Sequence, residues 1–118
     1  MNLIDVISLF DKSRPNSVDF QTKKTWVLNI ESEIRRFSCL HTGRCADMDF
    51  YNKENPELFL DDTKSDIYVF YMMSMADLTN GEYRLYNVSS TYFNGIFDLW
   101  KKEYRSKNCP ETNINIKQ

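Results

Sequence analysis

Cys39, His41 and Cys45 lie in one short stretch and are residue types that hold zinc or build a Cys–His nucleophile. Their spacing fits no standard zinc ligand pair, and a fourth ligand would have to come from elsewhere. No third group marks itself as the orienter that a Cys–His nucleophile needs. These residues therefore read as members of a loop or its packing. Asp61 and Asp62 are adjacent carboxylates, but they read better as loop and helix cap than as an acid–base pair. No Gly-rich phosphate loop or metal motif is present. The expectation is no catalysis, no metal and no cofactor.

Charge narrows the alternatives. The 118 residues carry 15 basic and 17 acidic side chains, a net charge of −2. A nucleic-acid binder usually shows a basic surplus, because its affinity comes from neutralising phosphates. The local excess Lys101, Lys102, Arg105 and Lys107 falls at the end of a predicted helix, where cations complement the dipole. The first two helices lack the basic recognition face of a helix-turn-helix reader. No apolar run approaches the roughly 18–20 residues of a bilayer span. Asp5 interrupts the apolar start and no basic n-region precedes it, so a secretory signal is not expected. With three cysteines and no signal, free thiols in a reducing compartment are the default expectation.

The elements that position these groups read as helices. With 3 Gly and 3 Pro, the chain is poor in the turn residues of a many-stranded sandwich. Leu3, Val6, Ile7 and Phe10 mark a first helix at about 3–12, capped by Asn2 and ended by Arg14-Pro15-Asn16. Trp26, Ile30, Ile34 and Phe37 mark a second at about 18–38, starting after Ser17 or Asp19, with Glu31 and Arg35 paired on its exposed face. From 39 to 62 the pattern fails among Gly43, Asp47, Asp49, Asn52, Asn55 and Pro56, and a connection that long is usually functional. Leu58, Phe59 and Leu60 are its apolar anchor.

Thr63 and Asp66 resemble a capping box for a third helix. Ile67 to Leu78 is apolar nearly all round, more than a small monomer is expected to cover, which suggests a subunit interface. Asn80-Gly81 ends it and leads within a residue into a fourth helix at about 82–107, forming an antiparallel hairpin. Tyr86, Ser90, Phe93, Phe97, Trp100 and Tyr104 form a heptad-like seam on that helix. Leu85, Val88, Tyr92, Ile96 and Leu99 form a second stripe beside it. The two stripes face either two neighbours or one broad core. Pro110 stops the helix. In the polar tail after it, Thr112, Ile114 and Ile116 alternate with Asn113, Asn115 and Lys117, as in a strand that pairs with a partner's sheet edge, or in a frayed end. The expected fold is an all-α small four-helix bundle with a long 39–62 loop, a helical domain at 1–108 and an extended tail at 109–118.

The run from Ser65 to Pro110 resembles the C-terminal half of the phage head–tail connector proteins, the adaptor or head-completion family of tailed phages and prophages. The landmarks are Tyr68, Tyr71, Asn80, Gly81, Glu82, Tyr86, Asn87, Ser89, Phe93, Asn94, Trp100, Tyr104, Arg105 and Pro110. The front half agrees more loosely, through a short amphipathic helix, Arg14-Pro15-Asn16 and a helix with Lys24 and Trp26. The chain departs from the family at Thr63-Lys64-Ser65, where Pro-Tyr is common, and at Val88, where a second Asn often follows Asn87.

The resemblance implies a homo-oligomeric ring, usually twelve-fold in this family, seated below the portal protein. Such a ring extends the channel through which genomic DNA passes without sequence-specific binding, and it offers a platform to a head-closure, stopper or tail protein. It implies a place at the virion neck, after assembly in the host bacterial cytoplasm, with no membrane partner. Tyr68, Tyr71, Met72, Met75, Tyr86, Phe93, Phe97, Trp100 and Tyr104 are the expected core or subunit-interface residues. Asn80, Gly81, Glu82, Asn87, Asn94 and Arg105 are the family's polar landmarks, and Pro110, Thr112, Ile114 and Ile116 would reach the portal. The competing reading is a generic helical homo-oligomeric interaction module or regulator without catalysis.

Overall fold

The computed structural model describes residues 1–43 and 49–107. It is an all-α bundle of four helices, α1 (Leu3–Ser13), α2 (Phe20–Thr42), α3 (Ser65–Thr79) and α4 (Tyr83–Lys107), with 3-10 turns at Asp49–Asn52 and Asp62–Lys64. Among the described residues no strand forms; one antiparallel bridge joins Asn2 to Glu57.

Local chemistry sets the helix ends. Asn2 accepts from the Asp5 amide at 2.9 Å and Asp5 accepts from the Asn2 amide at 3.1 Å, a reciprocal capping box. Arg14 turns extended before Pro15, which ends α1. Asp19 caps α2 through the Thr22 amide at 2.9 Å. α2 continues beyond the expected end at Ser38 to Thr42, and Gly43 closes it in the left-handed conformation, its N–H donating to the Cys39 carbonyl at 3.0 Å. The lost apolar spacing had suggested an earlier end, yet the backbone ladder needs only that no residue forbid it. The expected Thr63–Asp66 box does not form. Asp61 instead accepts from the Thr63 amide and hydroxyl, capping the 3-10 turn, and α3 starts without a side-chain cap.

α3 is the hub. It packs along α4 as an antiparallel hairpin and also meets α1 and α2. Ile67, Tyr68, Val69, Met72 and Ala76 are buried. Phe70, Tyr71, Met73 and Met75 are half-buried against the same core. The expectation that a monomer cannot cover this helix is corrected: three helices of its own chain sheathe it.

The segment at 53–60 returns to α1. The Leu3 amide donates to the Pro56 carbonyl at 3.0 Å and the Leu58 amide to the Met1 carbonyl at 2.9 Å. Pro56, Leu58 and Leu60 are buried. What holds this return is a carboxylate. Glu31 is 0% exposed and accepts from the Tyr68 hydroxyl (2.6 Å), the Phe59 amide (2.8 Å) and Arg35 Nε (2.6 Å). Arg35 also donates to the Glu57 carbonyl at 3.2 Å, and the Leu60 amide donates to Tyr68 Oη at 3.2 Å. Burial and the Glu31 charge push the Tyr68 phenol far above its ordinary range, so it remains a donor. The expected exposed Glu31–Arg35 pair is therefore corrected to an interior one.

A second buried acid locks the hairpin. Asp77 accepts from Arg14 Nη1 and from Ser89 Oγ (2.9 Å), tying α1, α3 and α4 together. Its carbonyl also accepts the Glu82 amide at 2.9 Å across the turn, where Gly81 takes φ +73°.

Removing one member of a buried ion pair strands the other. Glu31→Ala should cost about 3–5 kcal/mol in urea unfolding. Tyr68→Phe, which deletes the hydrogen bond to Glu31 and the one from the Leu60 amide, should cost about 1–3 kcal/mol.

The acid limb of stability has a defined sign. Hydrogen bonds from Thr22 and Thr63 hold Asp19 and Asp61 below the ordinary value of 3.8. Burial raises Asp11, but hydrogen bonds from Lys23 and Asn16 outweigh it and leave it lowered. Each contribution is complete above the ordinary value and is lost as pH falls through the depressed one. Urea midpoints should be flat between about pH 5 and 7 and fall below pH 4. Converting Asp19 and Asp61 to Asn, which keeps a cap acceptor, should flatten that fall.

Candidate functional site

Of the Cys39, His41 and Cys45 stretch, the structure describes Cys39 and His41. Cys39 is disulfide-bonded, which corrects the free-thiol expectation. The His41 ring packs on Phe37 with centroids 4.4 Å apart. Cys45 lies outside the described residues. Among the described residues no group of three His, Cys, Asp or Glu side chains is placed to hold a metal. No helix of these residues is long and apolar enough to cross a membrane. An open cleft of about 280 Å³ lies between the 59–64 segment and the end of α4, and its Lys64 and Glu103 pair with each other at 3.0 Å.

What remains distinctive is how α4 divides its aromatic content. The heptad-like seam points inward. Phe93 and Trp100 are buried; Tyr86, Phe97 and Tyr104 are half-buried. Phe93, Phe97, Trp100 and Tyr104 form a ring ladder with successive centroids 5.3, 5.9 and 5.2 Å apart. Tyr71 meets Phe93 edge-on at 5.3 Å, and Phe37 of α2 meets Trp100 at 5.5 Å. The Tyr104 hydroxyl pairs with Ser38 Oγ at 2.6 Å. Such ring pairs add about 0.5–1.5 kcal/mol each beyond the area they bury. Tyr68, Met72 and Met75 likewise face this core.

The second stripe points outward. Leu85, Val88, Tyr92 and Leu99 are 48%, 65%, 48% and 54% exposed, while Ile96 is half-buried. Tyr92 is held flat by Phe70 of α3, its ring stacked at 4.2 Å. Single exposed apolar side chains are ordinary; here four of them lie in a row along one helix.

The polar landmarks separate by role. Asn80 caps α3 through its N–H to the Ala76 carbonyl, Gly81 turns the chain, and the Glu82 amide closes onto Asp77. Asn87 and Asn94 are exposed. The Arg105 guanidinium lies 5.8 Å from the Phe37 ring centre. Pro110, Thr112, Ile114 and Ile116 lie outside the described residues. The Arg14–Asp77–Ser89 and Glu31–Tyr68 networks escaped sequence reasoning, because no spacing rule couples residues so far apart. The one available signal was an acid inside an apolar run, Asp77.

The chain matches no family model, no curated protein and no solved structure.

The two stripes should respond differently to substitution. Trp100→Ala should cost about 3–5 kcal/mol in unfolding experiments, as core aromatic truncations do. Val88→Asp should leave stability within about 0.5 kcal/mol, as exposed positions do.

Proposed function

We propose that this chain is a structural head–tail connector, a non-catalytic subunit that assembles as a ring below a portal, lengthens the DNA channel and links the portal to a head-closure or tail protein. The resemblance of Ser65–Pro110 to connector proteins supplies the class of assembly. The observation that carries the reading is the exposed row Leu85, Val88, Tyr92 and Leu99 on α4. Its spacing of three, four and seven follows a heptad, so the side chains project along one line and fit a long, continuous contact. The row lies on the chain's longest helix, stiffened by the ring ladder on its inner side. Net charge supports the same reading: a channel along which DNA slides must not grip phosphates, and the chain carries −2.

The same row also suits a small two-fold helical module, so the symmetry of assembly distinguishes the two. Light scattering from micromolar to millimolar concentration, with negative-stain imaging, should show closed rings. Two-fold dimers would favour the generic module, and a monomer throughout would overturn both. Leu99→Asp should weaken assembly by roughly tenfold or more, the equivalent of about 1.4 kcal/mol, with an unchanged unfolding midpoint.

A further inference from the structure

We propose that Asn80-Gly81, at the corner between α3 and α4, is a self-modifying site where the folded chain converts Asn80 to isoaspartate and aspartate with release of ammonia. An asparagine side-chain carbonyl carbon is open to attack by the backbone nitrogen of the next residue, and a following glycine hinders that attack least. The sequence holds this dipeptide twice, at Asn80-Gly81 and at Asn94-Gly95. All four residues are exposed, so access to water does not separate the two. Their backbones do. The 77–82 stretch closes α3 as a Schellman turn: the Glu82 N–H donates to the Asp77 carbonyl at 2.9 Å and the Gly81 N–H to the Leu78 carbonyl at 3.1 Å. Asn80 has ψ 1°, which sets the Gly81 nitrogen beside the Asn80 nitrogen and away from the Asn80 side chain. Attack therefore needs the 80–81 peptide to flip, with ψ of Asn80 and φ of Gly81 rotating in opposite senses so that the chain path is kept. Glycine alone tolerates such a swing from φ +73°. A Cβ placed on Gly81 would meet nothing within 4 Å, so no neighbour blocks the rotation. The flip breaks the Gly81–Leu78 bond and leaves Glu82 on Asp77. Asn94-Gly95 lies inside α4, where the same flip breaks two ladder bonds in a helix held by the stacked Phe93 and Phe97 rings.

Once flipped, the Gly81 nitrogen gives its proton to hydroxide and bonds to Asn80 Cγ. The bond from Cγ to Nδ2 breaks, and ammonia leaves with a proton taken from water. Water then adds to one of the two carbonyls of the cyclic imide. Opening at Cγ leaves aspartate. Opening at the main-chain carbonyl carbon leaves isoaspartate, with the chain routed through the side chain. One water is consumed for each ammonia released, and nothing is oxidised or reduced. The new carboxylate stands at the carbonyl end of α3, where the helix dipole disfavours a negative charge. Isoaspartate also inserts a carbon between the two Schellman bonds, which loosens the corner that presents Asp77 to Ser89. Nothing in this chemistry depends on how copies of the chain assemble.

Trypsin separates the two dipeptides, because cleavage after Lys64, Arg84 and Lys101 puts Asn80 in the 65–84 peptide and Asn94 in the 85–101 peptide. The folded full chain is held in warm, mildly alkaline buffer, digested and read by mass spectrometry. The acid form should accumulate in 65–84 at least about tenfold faster than in 85–101, a gap that a difference of about 1.4 kcal/mol in local opening supplies. In urea, where no backbone bond restrains either site, the two rates should converge. Methyl label from an isoaspartyl carboxyl methyltransferase should appear in 65–84, and the aged protein should unfold at a lower urea midpoint than the fresh one. Gly81→Ala, checked for native circular dichroism, should suppress conversion at Asn80 and leave Asn94 unchanged. Equal rates at the two sites in the folded chain, or a 65–84 peptide that converts only in urea, would overturn the proposal without any variant. Undiminished conversion at Asn80 in Gly81→Ala would overturn the peptide flip, and an unchanged midpoint after conversion would overturn the loosening of the corner.

Discussion

A carboxylate with no access to water organises this bundle. Glu31 sits in the middle of α2 and has to be surrounded by donors, because an unpaired buried charge costs several kcal/mol. Its donors come from the next turn of α2, from the returning 57–60 segment and from the first turn of α3. Satisfying that one group therefore brings three parts of the chain together in a fixed register. Hydrophobic burial supplies most of the driving force but is nondirectional. The carboxylate decides where Phe59 and Leu60 sit on the helices. Leu58 and Leu60 can then enter the core beside Leu3 and Ile67.

Asp77 works the same way at the other end of α3. Arg14 reaches it from the end of α1 and Ser89 from α4, so the hairpin corner is tied to the first helix as well as to itself. Between the two acids, α3 is nearly all apolar and is covered by its own chain. This leaves α4 as the boundary element. Its inner side is crowded with rings packed on Phe37 and Tyr71. Its outer side carries the exposed Leu85, Val88, Tyr92 and Leu99, with the Tyr92 ring stacked on Phe70 of α3. A helix fixed so firmly on one side presents the other without rearrangement, and a preorganised surface loses less ordering entropy on association.

The four helices, the antiparallel hairpin at Asn80-Gly81 and the two stripes of α4 were legible in the residues. Period, cap and glycine chemistry act over a few neighbours, so a one-dimensional pattern contains them. The end of α2 was less legible, because loss of apolar spacing at Cys39 marks where burial stops and not where the backbone ladder stops. The covering of α3 was misread for a related reason: an all-round apolar helix signals that it must be covered, but not by whom.

Periodicity and side-chain type in this sequence determine which segments are helical, where most of them turn, and that α4 carries two apolar lines. Only the tertiary structure decides that Glu31 and Arg35 are interior, that Arg14 belongs to Asp77, and that the seam through Phe93 and Trp100 is the buried line while Val88 and Leu99 stand outside. Those outcomes depend on donors and rings supplied by residues dozens of positions away. Burial is a property of what packs against a face, and a local pattern records only the face.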